Sequence, residues 1–456
     1  MRLYDVATGK QGIMNYWDGE KWVPIRASGG GSGDLVVDPP TGPERNIAAG
    51  AGMMNIDASV GSGMLVKARM RILVDAEHPI AEFDLSFTGA IALPAPGGGG
   101  KSSTVQLAVA TSSQPIPRSA TFNGGDRAVT VTNPAPTSAP APGNDVSQTV
   151  RTDPLPYNLR AGDDLIVYGW AGGDGLAVTD SQGYLADFDD GFAAGVFTHA
   201  VTAPLAQEPM TDAPTRRGAR PARVVAPSDQ PAWIISGDSI VHNSYSHLDR
   251  FARHYGLAYA KHARSGATTA SETIAYEHRF RGNGYATHLI DQLGVNGWTA
   301  DEQLELWRRH LASGIEWIVK TTITPRASSS DGWTSLAGQT PISQATVNDW
   351  LLDGAPVTSD WADPLPAGTT DPDAVRCRVV NVAGDVLPGA GSHPCTGGVV
   401  DMAGAVAEPT DRDRYRVDLG LVASDYGDGL HYGEGIHRLC GERLIRDVPK
   451  LLSVGQ

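Results

Sequence analysis

Residues 231–240, Pro-Ala-Trp-Ile-Ile-Ser-Gly-Asp-Ser-Ile, carry the pattern that decides the fold of the C-terminal half of this chain. The apolar run Trp233–Ile235 predicts a short strand, and polar residues follow it directly. Apolar residues then recur at helical spacing and stop at Gly256, a residue suited to the position after a helix: Leu248, Phe251, Ala252 and Tyr255. Strand, turn and helix in this order predict one unit of a parallel sheet covered by helices.

The same alternation continues toward the C-terminus. Apolar runs and segments with helical spacing follow one another at 289–293, 300–312, 315–323 and 343–352. Segment 353–398 is rich in Gly, Pro and Asp and is longer than an ordinary connection, so we interpret it as an insertion, either a flap over the site or a surface loop without function. The sequence therefore predicts an α/β domain with a parallel sheet over 231–456.

The residues before this domain predict a different architecture. Between 46 and 205, apolar and polar residues alternate with a period of two, which predicts an antiparallel β-sandwich module with glycan binding left open. Asp18-Gly19 within 1–27 is typical of a hairpin turn, and we interpret that piece as an attachment hairpin. Stretches without periodicity predict two linkers, at 28–45 and 206–230.

Composition and charge exclude several classes of function. Lys and Arg total 36 against 51 Asp and Glu, a formal net charge of −15, so a nucleic-acid partner is not expected. No apolar run approaches the ~18 residues that cross a bilayer. The first residues lack the apolar core of a secretory signal, so export by that route is not expected either.

Cysteine and histidine spacing provides no metal or redox motif. Cys377, Cys395 and Cys440 form no CxxC pair, and only a bridge between Cys377 and Cys395 is left open. Three histidines near the first helix lack the spacing of a metal site and are interpreted as solvated positions: His242, His247 and His254. No metal ion and no organic cofactor is therefore expected.

Polar residues follow the predicted strands, at the edge of a parallel sheet where such folds place their active residues. Residues 236–240 read Ser-Gly-Asp-Ser-Ile, 263–268 read Ala-Arg-Ser-Gly-Ala-Thr and 294–297 read Gly-Val-Asn-Gly. Near the C-terminus, Asp428-Gly-Leu-His431 leads into a predicted short helix. Taken singly, each piece is explained about as well by a turn or a helix cap, but their common order at strand ends favours catalysis.

These four pieces, in this order, resemble the SGNH (GDSL-type) hydrolase family over roughly 231–456. The resemblance implies a flavodoxin-like parallel sheet, no cofactor, a catalytic triad and an oxyanion hole: Ser239 as nucleophile, His431 as base, Asp428 as its orienter, and Ser239, Gly266 and Asn296 as oxyanion donors. Gly297 stands where the third block of the family usually has Asp. Asp238, next to the nucleophile, is interpreted as structural.

The residue types fit acyl transfer on their own chemistry as well. A serine hydroxyl needs an adjacent base, which His431 supplies while Asp428 sets the imidazole tautomer. The three-residue offset lets these two side chains meet across a single turn. A tetrahedral oxyanion needs preorganised N–H donors, each of which contributes ~3 kcal/mol in acyl transfer. The sequence therefore predicts a serine esterase.

The N-terminal pieces indicate a setting for this activity. A β-sandwich ahead of an SGNH-type domain is similar to the arrangement in carbohydrate esterases, and Trp17-Asp-Gly-Glu-Lys-Trp-Val-Pro-Ile25 before a Gly/Ser linker resembles phage tail proteins. We therefore expect a tail-associated esterase that removes acyl groups, acetyl before others, from a cell-surface polysaccharide. Its expected location is a virion tail or an extracellular surface.

Two rival functions stay open. One is a lipid or long-acyl esterase, although the sequence shows no apolar lid, and the other is a non-catalytic adhesin that binds glycan. The expected partners are an acylated glycan substrate and other tail proteins. The resemblance to tail proteins also leaves an oligomer open.

Overall fold

The computed structural model shows an α/β domain joined to a largely antiparallel β region. The structure describes residues 15–17, 22–24, 42–51, 58–60, 64–86, 101–114, 118–133, 147–173, 176–180, 196–200, 217–218, 223–242, 246–263, 266–275, 282–389 and 392–453. Nearly all residues from 223 to 453 are described, and the candidate site lies in this part of the chain.

Seven strands form the parallel part of a 14-stranded sheet. They are β1 (Ala48–Ala51), β2 (Ala232–Gly237), β3 (Ala258–Ala263), β4 (His288–Asp291), β5 (Trp317–Thr321), β6 (Val379–Val380) and β7 (Gly398–Val400). Their order is β1-β3-β2-β4-β5-β7-β6, with every neighbouring pair parallel. Strands β2, β3 and β4 are buried along their whole length, as expected of strands covered on both faces.

Helices alternate with these strands, as the spacing of apolar residues predicts. The described helices are α1 (Ser239–His242), α2 (His247–His254), α3 (Thr269–Ala275), α4 (Ala300–Ala312), α5 (Ala345–Leu352), α6 (Ala423–Tyr426) and α7 (Glu434–Ser453), with 3₁₀ turns at Gly282–Tyr285 and Ala403–Ala405. Helix α4 begins after Thr299 because the Thr299 hydroxyl accepts a hydrogen bond from the backbone N–H of Glu302 at 3.2 Å. Helix α7 is much longer than the predicted short helix, since its buried residues continue to Leu452.

A large apolar core holds the α/β domain together. Strand β2 contributes Trp233, Ile234 and Ile235, and helix α4 contributes Trp307, whose ring stacks on Trp350 of α5 at 5.7 Å. Removing side chains of this size from water stabilises the fold by ~1.5–3 kcal/mol each. The core therefore locks the helices onto the sheet and fixes the strand ends that carry the site.

The N-terminal region is built from short strands, most of them antiparallel. Their bounds are Asn15–Trp17, Trp22–Pro24, Glu44–Asn46, Ala58–Val60, Met64–Ile72, Ala76–Glu77, Ile80–Ser86, Lys101–Thr111, Arg118–Ser119, Val129–Asn133, Ser147–Arg151, Asn158–Leu159, Asp164–Gly173, Leu176–Asp180, Val196–Ala200, Arg217–Gly218 and Arg223–Pro227. They belong mainly to two sheets, and a second apolar core takes residues from both, among them Met70, Val109 and Val224. The sandwich arrangement of these sheets stays a prediction.

The two regions share a sheet. Strand β1 pairs parallel with β3 of the α/β domain on one side and antiparallel with Met64–Ile72 on the other. A buried ion pair lies at the same junction, because Arg223 Nε donates to Glu82 Oε1 at 3.0 Å and Tyr285 Oη donates to Glu82 Oε2 at 3.0 Å. The hydrogen bonds and the buried charges make this junction a continuous part of the fold.

Two predicted loop segments contain strands. The range 206–230, predicted as a linker, ends in the strand Arg223–Pro227, whose residues Val224, Val225 and Ala226 are buried. The insertion 353–398 supplies β6 at the edge of the parallel sheet farthest from β1. In both cases a short apolar run inside a Gly/Pro-rich stretch pairs with a neighbouring strand. The partners of Arg223–Pro227, at Glu44–Asn46 and Ile80–Ser86, are far away in the sequence, whereas those of β6 are nearby.

Further strands of the C-terminal half lie between β5 and β6, between β6 and β7, or after β7. They are Arg326–Ser329, Gln339–Ile342, Val386–Leu387, Ala407–Glu408 and Asp411–Tyr415. At the other end of the chain, Asn15–Trp17 and Trp22–Pro24 pair antiparallel as a hairpin would, whereas the predicted Asp18-Gly19 turn lies outside the described residues. No helix within the described ranges has the length and apolar character needed to cross a bilayer.

All three cysteines are buried free thiols. Cys395 Sγ donates to the carbonyl oxygens of Ile318 and Gly398 at 3.4 and 3.3 Å, so its thiol is engaged by the ends of neighbouring strands. Burial and the neighbouring Cys395 thiol raise the pKa of Cys377 well above its ordinary value. The bridge that the sequence left open between Cys377 and Cys395 is therefore not formed in this structure.

Candidate active site

Three of the four polar pieces emerge at neighbouring strand ends. Gly237 at the end of β2 pairs with Ala263 at the end of β3, and Ser236 pairs with Asp291 at the end of β4. The chain runs from β2 to β3 on one side and then crosses to β4 on the other, and such a reversal opens a crevice at the carboxyl edge. The sheet topology thus brings these loops to one edge.

The fourth piece completes a hydrogen-bonded chain of three side chains. His431 Nε2 lies 2.8 Å from Ser239 Oγ, and His431 Nδ1 lies 3.0 Å from Asp428 Oδ2. Ser239 and His431 are 192 residues apart in the chain, so only the fold brings them together. With a proton on Nδ1, the free Nε2 lone pair accepts the Ser239 hydroxyl proton, which is the arrangement that activates a serine.

Hydrogen bonds from the turn that contains Asp428 favour its ionised, carboxylate form. Its Oδ1 accepts hydrogen bonds from the backbone N–H groups of Leu430 and His431 at 2.9 and 2.6 Å. Partial burial acts to raise the pKa of Asp428, but the hydrogen bonds from the His431 ring and from these backbone groups outweigh it and lower the pKa. The ionised Asp428 can therefore orient the imidazole and stabilise an imidazolium.

Two glycines shape the segment 427–431, which we name the His431 turn. Gly427 and Gly429 have φ values of +57° and +81°, a region that side chains other than glycine rarely adopt. A Cβ on Gly429 would lie 1.6 Å from the Ala327 carbonyl oxygen, so the backbones of these two residues are in direct contact. Both Gly429, through its positive φ, and Asp428, through its hydrogen bonds to the backbone, therefore stabilise this tight turn.

The predicted oxyanion donors lie on two adjoining loops. Gly266 follows β3 with a φ of +72°, and Asn296 belongs to segment 292–297 after β4, which we name the oxyanion loop. Asn296 Nδ2 donates to the Ala267 carbonyl oxygen at 3.3 Å, and Thr269 N donates to the Gly297 carbonyl oxygen at 3.3 Å. These contacts join the two loops, whereas the oxyanion role itself stays a prediction.

Gly297, which stands where the SGNH pattern that the sequence resembles usually has Asp, lies close to the Gly266 loop. A Cβ at this residue would lie 3.3 Å from Thr268 Cγ2, tighter than an ordinary contact. A side chain at this position would need Thr268 to shift by a few tenths of an ångström, and glycine avoids that adjustment.

A buried ion pair anchors the oxyanion loop, and sequence reasoning missed it. Lys320 Nζ donates to Asp291 Oδ2 at 3.0 Å and also to the Leu293 carbonyl oxygen, and both charged side chains are at most 1% exposed. Gln303 Nε2 donates to the same Asp291 oxygen at 2.9 Å, and Leu293 N donates to Asp291 Oδ1 at 2.9 Å. The one available signal was a lysine inside the apolar run 315–323.

Asp238 has the structural position that the sequence predicts for it. Its side chain is fully buried behind the nucleophile, and its Oδ1 accepts a hydrogen bond from the backbone N–H of Ile240 at 2.9 Å. This bond caps α1, the short helix that begins at Ser239. Burial raises the pKa of Asp238 to about 7, against an ordinary value of 3.8.

The raised pKa of Asp238 predicts a pH dependence of stability. Between pH 3.8 and about 7 the folded chain keeps a proton on Asp238 that the unfolded chain has lost, so stability falls as the pH rises through this window. At up to ~1.4 kcal/mol per pH unit, the loss from pH 5 to pH 7 is about 2–3 kcal/mol. Asp238→Asn removes this loss, as urea unfolding of both proteins at the two pH values will show.

The matched control is Asp301→Asn, which changes an exposed carboxyl group and is expected to leave the wild-type pH dependence in place. An Asp238→Asn protein that loses as much stability as the wild type between pH 5 and pH 7 would contradict the assignment. Because both variants exchange a carboxylate for an amide, the comparison isolates the effect of burial.

The histidines near the first helix correct one prediction. His242 and His247 are 3% and 0% exposed rather than solvated, and only His254 is exposed. The two Nδ1 atoms of His247 and His437 lie 3.2 Å apart, and burial lowers the pKa of His247 to about 3, so it is neutral. Within the described ranges, no group of three or more His, Cys, Asp or Glu side chains is arranged to hold a metal ion.

The fold and the site together define an α/β domain with a Ser-His-Asp arrangement at the carboxyl edge of its sheet. No protein-family model and no curated protein matches the sequence. Among solved structures, the chain is similar to a carbohydrate esterase family 2 enzyme with a carbohydrate binding domain from Corynascus thermopiles (Myceliophthora fergusii), at 12% identity, with 63% of this chain and 80% of that chain covered and a TM-score of 0.22.

A second similar structure is an alpha/beta hydrolase enzyme from the metagenome of Lake Arreo, Spain. It is 12% identical, the match covers 48% of this chain and 96% of that chain, and the TM-score is 0.27. At this degree of likeness, nothing about activity or substrate transfers to the present chain.

Proposed function

We propose that the α/β domain is a serine esterase of the SGNH type that removes acyl groups, acetyl before others, from a cell-surface polysaccharide as part of a phage tail. The observation that carries this proposal is the chain of hydrogen bonds from Ser239 through His431 to Asp428. Its place at the carboxyl edge of a parallel sheet, beside the loops of Gly266 and Asn296, supports acyl transfer.

The proposed reaction has two steps. Ser239 Oγ attacks the ester carbonyl carbon while His431 Nε2 takes the hydroxyl proton, and that proton passes to the leaving sugar oxygen as its bond to the carbonyl carbon breaks. Water then attacks the acyl-enzyme with His431 as base, which releases the carboxylic acid and restores Ser239. The N–H groups of Ser239, Gly266 and Asn296 bind the oxyanion in both steps.

The openness of the site supports a polymer-borne ester over a lipid. The side chains of His431 and Asp428 are 46% and 63% exposed, so the site lies at the surface. A bulky glycan that carries a short acyl group can reach such a serine, whereas a long acyl chain gains most from burial in an apolar channel. The tail setting is supported by the N-terminal resemblance alone.

The test measures both the acid released and the acyl chain preferred. Wild-type protein is assayed on p-nitrophenyl acetate, butyrate and octanoate, and on a chemically O-acetylated polysaccharide with acetate measured by NMR. We expect acetate to be preferred over octanoate and to be released from the polymer. Ser239→Ala serves as the inactive reference, and Ser359→Ala, an exposed serine, serves as the matched control.

Each result decides between the candidate functions. A preference for octanoate would replace the deacetylase with the long-acyl esterase. No hydrolysis of any ester above the Ser239→Ala background, together with binding of the polysaccharide, would leave the non-catalytic adhesin. Acetate release from the polymer that depends on Ser239 would support the proposed reaction.

A further inference from the structure

The hairpin formed by Arg326–Ser329 and Gln339–Ile342 contacts both loops of the candidate site. It follows β5 along the chain and is not part of the parallel sheet. In its first strand, Arg326 contacts the oxyanion loop and Ala327 contacts the His431 turn.

Arg326 provides the contact to the oxyanion loop. Its Nη1 donates to the Val295 carbonyl oxygen at 3.4 Å, one residue before Asn296. Arg326 is only partly buried, so its charge needs no partner to offset a desolvation cost. The contact therefore lies on the backbone directly beside the predicted oxyanion donor.

Ala327 and Trp333 provide the contacts to the His431 turn. Ala327 N donates to the Gly429 carbonyl oxygen at 3.2 Å. The Trp333 ring stacks on Tyr426, the residue before the turn, with ring centres 5.0 Å apart and planes 12° apart. Trp333 Cη2 would lie 2.8 Å from a Cβ on Gly429, so the indole also closes one side of the turn. The turn thus rests against both backbone and indole of the hairpin.

The hairpin is itself held in a fixed shape. Trp333 has a φ of +71°, a conformation that a bulky residue keeps only where its surroundings impose it. Its backbone N–H donates to Ser329 Oγ at 2.8 Å and to Asp331 Oδ1 at 3.1 Å. At the second strand, Gln339 exchanges two hydrogen bonds with the backbone of Tyr415, at 2.8 and 2.9 Å. The hairpin therefore has a fixed shape, and both loops pack against it.

We propose that the hairpin 326–342 is a clamp that fixes the oxyanion loop relative to the His431 turn, with Arg326 and Trp333 as its positioning residues. This inference rests on the proposed function, because the distance between the two loops matters only if both act on one carbonyl group. An oxyanion donor and a base on separate loops must keep their separation within a fraction of an ångström. A misplacement of about 1 Å costs ~100-fold in rate.

The test separates positioning from substrate binding. On p-nitrophenyl acetate, Trp333→Ala is expected to lower kcat ~100-fold and Arg326→Ala ~10-fold, with KM changed less than ~3-fold. The conservative variants Trp333→Phe and Arg326→Lys are expected to keep most of kcat, since they retain an aromatic ring and an N–H donor. Trp361→Ala and Arg308→Ala, the same residue types at partly buried positions elsewhere, are the matched controls with wild-type rates.

Amide hydrogen exchange provides a readout that does not depend on turnover. In the Trp333→Ala protein, exchange of the amides at 427–431 is expected to speed up, and in the Arg326→Ala protein that of the amides at 292–297. A wild-type protein without Ser239-dependent hydrolysis would overturn the proposed function, whereas these exchange rates would still show whether the hairpin holds the two loops.

Two results would overturn the clamp itself. One is unchanged kcat in both alanine variants together with wild-type exchange in both loops. The other is an Arg326→Ala protein with a raised KM for a negatively charged ester only and an unchanged kcat, which would make Arg326 a substrate-binding residue. Circular dichroism of each variant will confirm that its fold is retained.

Discussion

Replacing Ser239 or His431 by alanine is expected to lower kcat for ester hydrolysis by ~10⁴-fold or more in each case, and the double variant is expected to be no worse than either single one. The reason is that the two side chains act as a unit across the 2.8 Å contact between Oγ and Nε2. Once the serine is gone the base has no proton to take, and once the histidine is gone the serine hydroxyl stays protonated.

The measurement is kcat on p-nitrophenyl acetate for the wild type, the two single variants and the double variant. Ser359→Ala and His254→Ala change exposed residues of the same types and should keep wild-type rates. Losses that multiply in the double variant would mean that Ser239 and His431 contribute separately, and the triad assignment would then be wrong.

Gly429→Ala is expected to lower kcat ~100-fold and to cost about 3 kcal/mol of stability. Its φ of +81° is unfavourable for alanine, at ~1–2 kcal/mol. In addition, the new Cβ would lie 1.6 Å from the Ala327 carbonyl oxygen and 2.8 Å from Trp333 Cη2. The turn must move to relieve this overlap, and it carries His431 away from Ser239.

The control for this prediction separates backbone conformation from steric overlap. Gly420 has a φ of +69° and nothing within 4 Å of the place where a Cβ would be. Gly420→Ala should therefore show the conformational cost alone, ~1 kcal/mol, with wild-type kcat. Thermal unfolding and kcat are measured for both variants, and equal losses at the two positions would contradict the proposed packing of the His431 turn.

Local periodicity predicted the secondary structure of the α/β domain well. The apolar run before Gly-Asp-Ser became β2, the helical spacing up to Gly256 became α2, and the segment 300–312 became α4 with the predicted bounds. These elements are readable because strand and helix faces repeat within a few residues. The proximity of Asp428 and His431 was readable for the same reason, since these two side chains meet across one turn.

Elements whose partners lie far away in the sequence were harder to predict. Strand Arg223–Pro227 was predicted as linker, and all three histidines near α2 were predicted as solvated, although His242 and His247 are buried. The strand pairs with Glu44–Asn46 and Ile80–Ser86, and His247 lies against His437, so the neighbouring sequence does not show these partners. The antiparallel sandwich, the oxyanion role of Asn296 and the tail setting stay predictions.

By itself, the sequence determined most of the strands and helices of the α/β domain, and it predicted that Ser239, His431 and Asp428 act together. Only the tertiary structure decided that Ser239 meets His431, that Lys320 and Asp291 form a buried pair beneath the oxyanion loop, and that Trp333 packs behind the His431 turn. The physical reason is range. Side-chain periodicity and turn formation depend on residues close together in the sequence, whereas burial, charge pairing and long-range hydrogen bonds depend on which distant segments the folded core brings together.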